Sequence, residues 1–425
     1  MPRADGPARP PGPRGHWLMG NTPAYEADRI GFLRRTHHEY GDVFSFDERT
    51  VSVADPELTH AALARTNSGF LTELPPFGSR PDLDRAAAQA DAWMPTRRTA
   101  WPGLNQAASA AADGRTVEIL DELAAAAADR EVDVLPLARV FTARLTAEYC
   151  FGRDSGGIPA LLAENLDVTE PFTDASYQFP AWLPLPRHRR LARVHRRTVQ
   201  TLTATVRRRR EAAAASGADL LDFLLEADPP LPDRTVTSTL RGVMMGGHGV
   251  PAAAVTSIVR ELALRPELAA ELRDEAGTGP VTARLPLAEA VVKEVLRLYP
   301  PVWLMTRTAG GAVALGEWTL NPGDEILLNP YLIQRDPRWW QRPDEFDPGR
   351  WLDGRTAPRA AYLPFGAGPR VCVGSALAVR QLTLTTSRLA QAYAVESSNA
   401  VGAAPRFHGR LAPAGLRARL RPVAR

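Results

Sequence analysis

Cys372 is one of two cysteines in the chain, and it lies in a segment rich in glycine. The segment follows the pattern F-x-x-G-x-R-x-C-x-G through Phe365, Gly368, Arg370, Cys372 and Gly374. Glycines allow the backbone to take positive φ angles and to pass close to a flat macrocycle. Backbone N–H groups, and the start of a helix predicted from residue 375, would stabilise a thiolate. The pattern predicts a thiolate that binds a haem iron, with Arg370 near a propionate; the alternative is a buried, unreactive cysteine on a turn.

A second motif lies upstream, in a segment predicted to be helical. Glu294 and Arg297 form E-x-x-R, and a spacing of three residues places both charges on one helix face, where they can pair. Such a pair is common on its own, but its order and spacing relative to Arg350 and Cys372 are specific. The chain resembles the cytochrome P-450 family of cysteine-ligated haem monooxygenases, of the soluble bacterial type. The resemblance implies that Glu294, Arg297 and Arg350 form a partly buried ion network that holds the haem loop, a structural and not a catalytic role.

Further residues match the family's haem contacts. The resemblance implies a haem b whose iron is bound by Cys372 and whose propionates meet arginine and tryptophan side chains. The residues implied to contact the haem are Trp93, Arg97, Arg307, Phe365, Gly366, Arg370, Cys372 and Gly374. Guanidinium groups suit this role because each can bind a carboxylate through two hydrogen bonds. The alternative for Trp93 and Arg97, which form W-x-x-x-R, is a surface helix with a packed tryptophan.

These residues must be positioned by a mainly helical fold. Long alanine- and leucine-rich stretches such as residues 117–126 predict helices, and short strand-like pieces lie at residues 43–46, at 51–53 and near the end. The resemblance covers nearly the whole chain and implies the cytochrome P-450 fold, mainly α with small β-sheets, in one large triangular-prism domain. We expect a Pro/Gly-rich N-terminal segment at residues 1–15 and a single haem-thiolate catalytic domain at residues 16–425.

Composition excludes several other classes of protein. Hydrophobic residues make up 44% of the chain and charged residues 23%, as in an ordinary soluble globular protein. Residues 1–10 contain no apolar run, so we expect neither a signal peptide nor a membrane anchor, and a cytoplasmic location. Two cysteines cannot form a disulfide framework, and a net charge of +3 does not imply nucleic-acid binding. We expect the arginine runs at 187–190 and 207–210 to be solvated helix faces, and Cys150 to be a packing residue.

The resemblance also implies the chemistry and the partners. A thiolate ligand donates electron density to the iron and favours cleavage of the O–O bond, so that O2 can oxidise an unactivated C–H bond. The electrons would come from a ferredoxin with its reductase, or from a flavodoxin, because no fused flavin or iron–sulfur segment is recognisable in the sequence. We expect a monomer.

The central helix of the family normally carries an acid and an alcohol that deliver protons to the oxygen site. Aligned on that helix, this chain places Gly247, Gly249 and Val250 at the oxygen site, with Gly249 in the position of the acid and Val250 in that of the alcohol. Pro251 follows, and it cannot donate a hydrogen bond to the carbonyl of Gly247. We therefore expect a kink or a widened turn, fixed by backbone chemistry instead of by a threonine.

Three functions remain compatible with the absence of this acid and this alcohol from the central helix. In the first, a substrate group or an ordered water supplies the proton and the enzyme hydroxylates its substrate. In the second, the enzyme performs another oxidation, such as C–C, C–O or C–N coupling, desaturation or rearrangement. In the third, the protein binds haem without turning over oxygen. The intact loop around Cys372 argues against the third.

The substrate pocket is predicted from family analogy alone. Its predicted residues are Phe77, Met244, Met245, Val302, Leu304 and Ala412, together with residues 172–179. These residues are mainly apolar, which indicates a small secondary metabolite such as a terpenoid, a polyketide or an aromatic or peptide-derived molecule. Met244 and Met245 have a second interpretation, in which they pack the helix into the core.

Overall fold

Helices build most of the fold, which we describe from a computed structural model that covers residues 9–17, 19–72, 83–106, 110–174, 183–212, 219–277, 284–352 and 359–423. Within these residues the α-helices are α1 (Thr22–Ala27), α2 (Arg29–Tyr40), α3 (Pro56–Ala64), α4 (Leu83–Gln106), α5 (Ala110–Ala127), α6 (Val134–Phe151), α7 (Ile158–Thr173), α8 (Pro186–Glu211), α9 (Leu220–Leu225), α10 (Asp233–Gly247), α11 (Gly249–Leu264), α12 (Pro266–Ala276), α13 (Pro286–Leu298), α14 (Pro330–Ile333) and α15 (Ser375–Ala392). Short 3-10 turns lie at Gly152–Asp154, Pro348–Trp351, Arg359–Ala361 and Gly368–Arg370.

Local sequence explains where several of these helices begin. The carboxylate of Asp55 accepts a hydrogen bond from the N–H of Leu58 at the start of α3. Such a side chain satisfies one of the N–H groups that a helix leaves without a partner in its first turn. Proline occupies the first position of α12 and of α13, where its missing N–H costs nothing. Helix α15 begins at Ser375, directly after the Cys372 loop, as its sequence predicts.

Twelve short strands in the described residues form four small sheets. The strands are β1 (Val43–Ser45), β2 (Thr50–Val53), β3 (Phe70–Leu71), β4 (Glu131–Asp133), β5 (Met305–Ala309), β6 (Val313–Leu315), β7 (Trp318–Leu320), β8 (Glu325–Leu328), β9 (Tyr393–Glu396), β10 (Pro405–Phe407), β11 (Leu411–Pro413) and β12 (Arg417–Pro422). The largest sheet has the order β1-β2-β8-β5-β3, in which β2 and β8 are parallel and the other neighbours antiparallel. The other sheets are β4-β12-β9, β10-β11 and β6-β7.

Residues of the predicted N-terminal segment pack along the edge of the largest sheet. The N–H of Ser45 donates to the carbonyl of Pro11 at 2.8 Å, and its hydroxyl donates to the carbonyl of Pro10 at 2.6 Å. A Cβ on Gly12 would lie 2.1 Å from the carbonyl oxygen of Ser45, so the two chain segments touch through their backbones. This segment is therefore part of the folded unit from Pro10 onward.

The core surrounds two consecutive helices, α10 and α11. Helix α11 packs against α6, α13 and α15, and α10 packs against α6 and α8. The small, buried side chains of the alanines at 252, 253 and 254 allow α11 to pack closely against its neighbours. The continuous run Asp233–Leu264 has the length and hydropathy of a membrane span, but 61% of its apolar window is buried inside the protein. This burial is what a core helix requires.

Candidate active site

The loop that carries Cys372 is shaped by two glycines. Gly366 and Gly368 both have a φ of +69°, a backbone conformation that side chains resist. A Cβ on Gly368 would also lie 2.2 Å from the carbonyl oxygen of Leu63, so a larger residue does not fit there. The N–H of Cys372 donates to the carbonyl of Phe365 at 2.9 Å, which closes the loop.

Cys372 is exposed and lies in the wall of a cavity. Burial raises the pKa of Cys372, while the N–H of Gly374 and the guanidinium of Arg97 act in the opposite direction. Both groups stabilise the thiolate, and a metal cation at the sulfur would favour the thiolate further. The loop therefore suits a cysteine that ionises when it binds a metal.

Three arginines on separate elements reach the wall of the same cavity: Arg97 from α4, Arg307 from β5 and Arg370 from the turn before Cys372. Arg97 is almost fully buried and donates to the carbonyl of Val371, and desolvation lowers its pKa. The Nε of Arg307 donates to the hydroxyl of Thr66 at 3.1 Å, and the Nε of Arg370 donates to the amide oxygen of Asn67 at 3.2 Å. Three cations at one mainly apolar cavity favour a ligand that carries negative charge.

The cavity has a volume of about 380 Å³ and brings together much of the predicted site. The predicted residues in its wall are Arg97, Gly247, Val250, Val302, Arg307, Phe365, Gly366, Arg370, Cys372 and Gly374. Most other wall residues are apolar, among them Leu104, Val243, Ala254, Leu296, Met305, Leu363 and Leu377. Cys372 and the segment around Val250 thus face one shared space, as a cofactor and a substrate would require.

Other predicted pocket residues do not line this cavity. Met244 is buried in the core cluster that includes Leu104 and Cys150, because it lies about 200° around α10 from Gly242 in the cavity wall. Leu304 packs with the cluster around Tyr25, and Ala412 is buried in β11. Met245 and Gly249 also lie outside the cavity wall. Phe77, residues 175–179 and the side chain of Trp93, on α4, lie outside the described residues.

Glu294 is the centre of a buried ion network on α13. Its carboxylate accepts hydrogen bonds from Nε and Nη2 of Arg297, both at 2.9 Å, and from Nε of Arg350 at 3.0 Å. It also accepts from the indole N–H of Trp351 at 3.0 Å and from the backbone N–H of Asp347 at 2.9 Å. Glu294 and Arg297 are both fully buried. The network therefore fixes α13 to residues 347–351.

Gln334 extends the network toward the Cys372 loop. Its side-chain amide donates to the carbonyls of Leu296 and Arg297 at 3.0 and 2.9 Å, and its amide oxygen accepts from the N–H of Leu363 at 2.8 Å. Leu363 lies in the cavity wall, two residues before Phe365. Gln334 thereby joins the buried end of α13 to the segment that leads into the loop.

The central helix is interrupted at His248, between α10 and α11. Pro251 offers no N–H to the carbonyl of Gly247, and the hydroxyl of Thr146 on α6 donates to that carbonyl instead, at 2.6 Å. The hydroxyl of Thr142, one turn earlier on α6, donates to the carbonyl of His248 at 2.9 Å. A neighbouring helix thus satisfies the backbone of the broken turn.

His248 and Gly249 face away from the cavity, toward a charged cluster. Burial first, and then the guanidiniums of Arg139 and Arg410, together lower the pKa of His248 to about 4. A Cβ on Gly249 would lie 2.9 Å from the guanidinium carbon of Arg410, so the missing side chain makes room for that group. Glu170 lies 3.9 Å from Nη1 of Arg410 and also pairs with Arg139. The position predicted for an acid is therefore adjacent to a cation.

One expectation about the arginine runs is wrong. Arg209, within residues 207–210, is buried and not solvated. Its guanidinium donates to Asp154 at 2.8 Å, to Asp219 at 2.9 Å and to Asp222 at 2.6 Å. These acids come from two other places in the chain, the turn at Asp154 and the start of α9 at residues 219–222, so the run alone could not reveal the cluster.

Sequence reasoning missed Thr146, Gln334 and Trp351 as members of the site. Thr146 could have been found only from the packing of α6 against α10, because it lies 101 residues from its partner Gly247. Trp351 had a usable signal, since it directly follows Arg350. Gln334 had none.

The cavity fits a haem. It combines a thiol that can ionise, guanidinium groups for carboxylates and glycines where a flat ring needs close approach. Gly374 has no atom within 4 Å of where its Cβ would lie, which leaves open space directly beside the thiol. The donor set therefore matches a metal macrocycle that carries acidic side groups.

Comparison with known proteins adds independent findings. The family described as cytochrome P-450 matches residues 10–416. The chain is 30% identical to cyclooctatin synthase of Streptomyces melanosporofaciens over 62% of each chain. It is 33% identical to cyclooctat-9-en-7-ol 5-monooxygenase of the same species over 49% of this chain and 48% of the relative. It is 30% identical to lanosterol 14-alpha demethylase of Bos taurus over 59% of this chain and 53% of the relative.

These matches span less than two thirds of each relative's length. Solved structures give a fuller overlap. The haem domain of a mutant cytochrome P-450DA superposes with a TM-score of 0.82 and 20% sequence identity, over 98% of each chain. The unmutated cytochrome P-450DA haem domain superposes with a TM-score of 0.80 and 19% sequence identity. The architecture described above is therefore that of these haem domains.

Proposed function

The chain belongs to the cytochrome P-450 family of haem-thiolate oxidoreductases, and from that premise we propose that it oxidises a small apolar substrate of the terpenoid class. The observation that carries the proposal is a single cavity that holds the Cys372 thiol, three arginines and the helix break beside Val250. An apolar wall with a few converging polar groups is the usual form of a site that binds and orients a small molecule.

The residues that would hold the haem follow from the cavity wall. Cys372 would bind the iron through its thiolate, and Arg97, Arg307 and Arg370 would pair with the propionates. We assign Trp93 to the same group from its match to the family motif. Haem with a thiolate ligand, when bound, supplies O2 activation, because the sulfur donates electron density that favours O–O cleavage. The remaining wall residues exclude water and orient the substrate.

The substrate class is supported by the cavity and by the relatives. Val243, Val250 and Val302 add aliphatic surface to the cavity wall, and Met305 can adapt to an irregular ring system. The names of two relatives state apolar alcohols as substrates, cyclooctat-9-en-7-ol and lanosterol. A substrate with its own hydroxyl would also bring a proton donor to a wall where Val250 offers none.

Hydroxylation is the reaction we propose first. The second candidate is a different oxidation, such as coupling or desaturation, and the apolar Val250 in the cavity wall is the observation that favours it. We propose a ferredoxin with its reductase, or a flavodoxin, as the electron donor, and a monomeric protein in the cytoplasm.

The proposal is tested with purified haem-loaded protein and a panel of apolar terpenoid alcohols. Each compound is first titrated into the ferric protein, where binding next to the haem changes the absorption spectrum. Binders are then incubated with NADH, a ferredoxin and its reductase, and the products are identified by mass spectrometry. We expect at least one product that is one oxygen atom heavier than its substrate. A product that has lost hydrogen, or a joined product, would support the second candidate instead.

Val250→Thr provides the matched control. This variant places a hydroxyl at the cavity wall without a large change in volume. If the wild type forms product with little peroxide, and Val250→Thr does not raise the ratio of product to peroxide, then a substrate group or a water supplies the proton. If no compound in the panel binds or reacts, while a polar metabolite does, the proposed substrate class is wrong.

A further inference from the structure

The broken central helix leaves a carbonyl that the backbone of its own helix does not satisfy at Pro251. In an unbroken helix, the N–H of residue 251 would donate to the carbonyl of Gly247, but Pro251 has no N–H. The hydroxyl of Thr146 donates to that carbonyl at 2.6 Å, from α6. A partly buried carbonyl left without a partner would destabilise the fold, so this contact has a structural reason to exist.

Thr146 also faces the cavity. It lies in the cavity wall with Cys372, Val250 and Gly247, whereas Thr142, one turn away on the same helix, does not. A hydroxyl has one hydrogen and two lone pairs. Because the hydrogen of Thr146 is directed to the carbonyl of Gly247, its oxygen can accept a hydrogen bond from a group in the cavity.

Gly247 makes this arrangement possible. A Cβ at position 247 would lie 2.9 Å from Oγ1 of Thr146 and 3.0 Å from its Cγ2, closer than side chains normally approach. The absence of a side chain at 247 therefore lets the hydroxyl of Thr146 reach the helix backbone at the break. Val250, which is aligned with the family's alcohol, lies in the same wall and brings no polar atom.

We propose that the hydroxyl of Thr146 is the proton-positioning group of this cavity, in place of the alcohol that the central helix lacks at position 250. The inference rests on the oxidative function proposed above. Hydroxylation consumes RH, O2, two electrons and two protons and yields ROH and H2O. The ferredoxin or flavodoxin supplies the electrons, and solvent supplies the protons. Thr146 accepts a hydrogen bond from the water or substrate hydroxyl that delivers a proton. Its own hydroxyl hydrogen stays hydrogen-bonded to the carbonyl of Gly247.

Three variants test this role in the haem-loaded protein: Thr146→Val removes the hydroxyl, Thr146→Ser retains it, and Thr142→Val removes a buried hydroxyl that lies outside the cavity. With NADH, a ferredoxin and its reductase, we expect Thr146→Val to lower the ratio of product to peroxide by about tenfold, a modest part of what a positioned proton-transfer group contributes. Thr146→Ser should restore most of that ratio, and Thr142→Val should leave it near the wild-type value. Equal ratios in Thr146→Val and the wild type would overturn the proposal.

A second readout does not depend on turnover. In the reduced protein with bound carbon monoxide, the C–O stretching frequency responds to hydrogen-bonding groups near the ligand. We expect a shift in Thr146→Val and none in Thr142→Val. If the wild type yields no product from any substrate, the proposed function fails, and this frequency still decides the position of the Thr146 hydroxyl. An unchanged frequency would then overturn the inference, and a shift would support it.

Pro251→Ala separates the structural contact from the proposed role. Alanine at 251 offers an N–H to the carbonyl of Gly247, so the double variant Thr146→Val/Pro251→Ala can fold without the hydroxyl. We expect this double variant to regain the stability and haem content of Pro251→Ala but to keep the low ratio of product to peroxide. If its ratio equals that of Pro251→Ala, Thr146 acts only as a partner for the carbonyl, and the proposal is wrong.

Discussion

Replacement of Glu294 by glutamine tests whether the buried network holds the fold together. The carboxylate receives five hydrogen bonds, two on Oε2 and three on Oε1. A glutamine amide has one oxygen and one NH2 group, so at least two of the five donors would meet another donor. The change also removes the charge that compensates Arg297, which is fully buried. Removal of one partner from such a buried pair costs about 3–5 kcal/mol.

We therefore expect Glu294→Gln to lower the free energy of unfolding by about 3–5 kcal/mol, a large share of the total for a folded domain. The assay is urea unfolding of the haem-loaded protein, followed by far-ultraviolet circular dichroism and by haem release. Glu289→Gln is the matched control on the same helix, because Glu289 forms an exposed pair with Lys293 at 2.7 Å. Loss of such a surface pair costs less than about 1 kcal/mol. A value for Glu294→Gln as small as that of the control would refute the reasoning.

Three further variants, two of them with a matched control, probe other parts of the structure. Gly368→Ala places a Cβ on a residue with φ of +69° and 2.2 Å from the carbonyl oxygen of Leu63, so it should cost about 2 kcal/mol or more and reduce haem content. Gly311→Ala, with no atom within 4 Å, should change the free energy of unfolding by less than about 0.5 kcal/mol, and similar values for both would contradict the account. Arg209→Met leaves three carboxylates without their buried cation and should cost about 3–5 kcal/mol, against less than about 1 kcal/mol for the exposed Arg207→Met. The pKa of His248 is lowered to about 4, so the folded state resists a proton that the unfolded state, with a histidine pKa of about 6.5, accepts. This contribution to stability is complete above about pH 6.5 and is lost as the pH falls toward 4, by up to about 3 kcal/mol, so unfolding of His248→Gln should depend less on pH than that of the wild type between about pH 7 and pH 5. An unchanged pH dependence would show that His248 does not titrate in this way.

The predictions about the Cys372 loop and the Glu294 network rested on local motifs. The Cys372 loop is specified by residues within ten positions, and Glu294 and Arg297 are three apart on one helix, so their geometry follows from backbone periodicity. The family match adds Arg350, and the structure places its guanidinium 3.0 Å from Glu294. The identity of the fold follows from the same motifs in their order along the chain.

Tertiary packing decides what the sequence could not reveal. Met244 lies on the opposite face of α10 from Gly242 and Gly246, which line the cavity, but the sequence does not say which face turns inward. Leu304 precedes Met305 and Arg307, whose alternate side chains in β5 face the cavity. Thr146 and Gly247 meet only because α6 crosses the break in the central helix. A pattern of residue types contains no information on such contacts.

The central claim is that Cys372 supplies the thiolate ligand of a haem iron. The most direct measurement is the difference spectrum of the reduced, haem-loaded protein with and without carbon monoxide. The wild type should show the red-shifted Soret band characteristic of thiolate ligation. Cys150→Ala should retain that band, because Cys150 is fully buried away from the cavity, and Cys372→Ala should lose it. A folded, haem-loaded wild type without the band, or a Cys372→Ala variant that keeps it, would contradict the account.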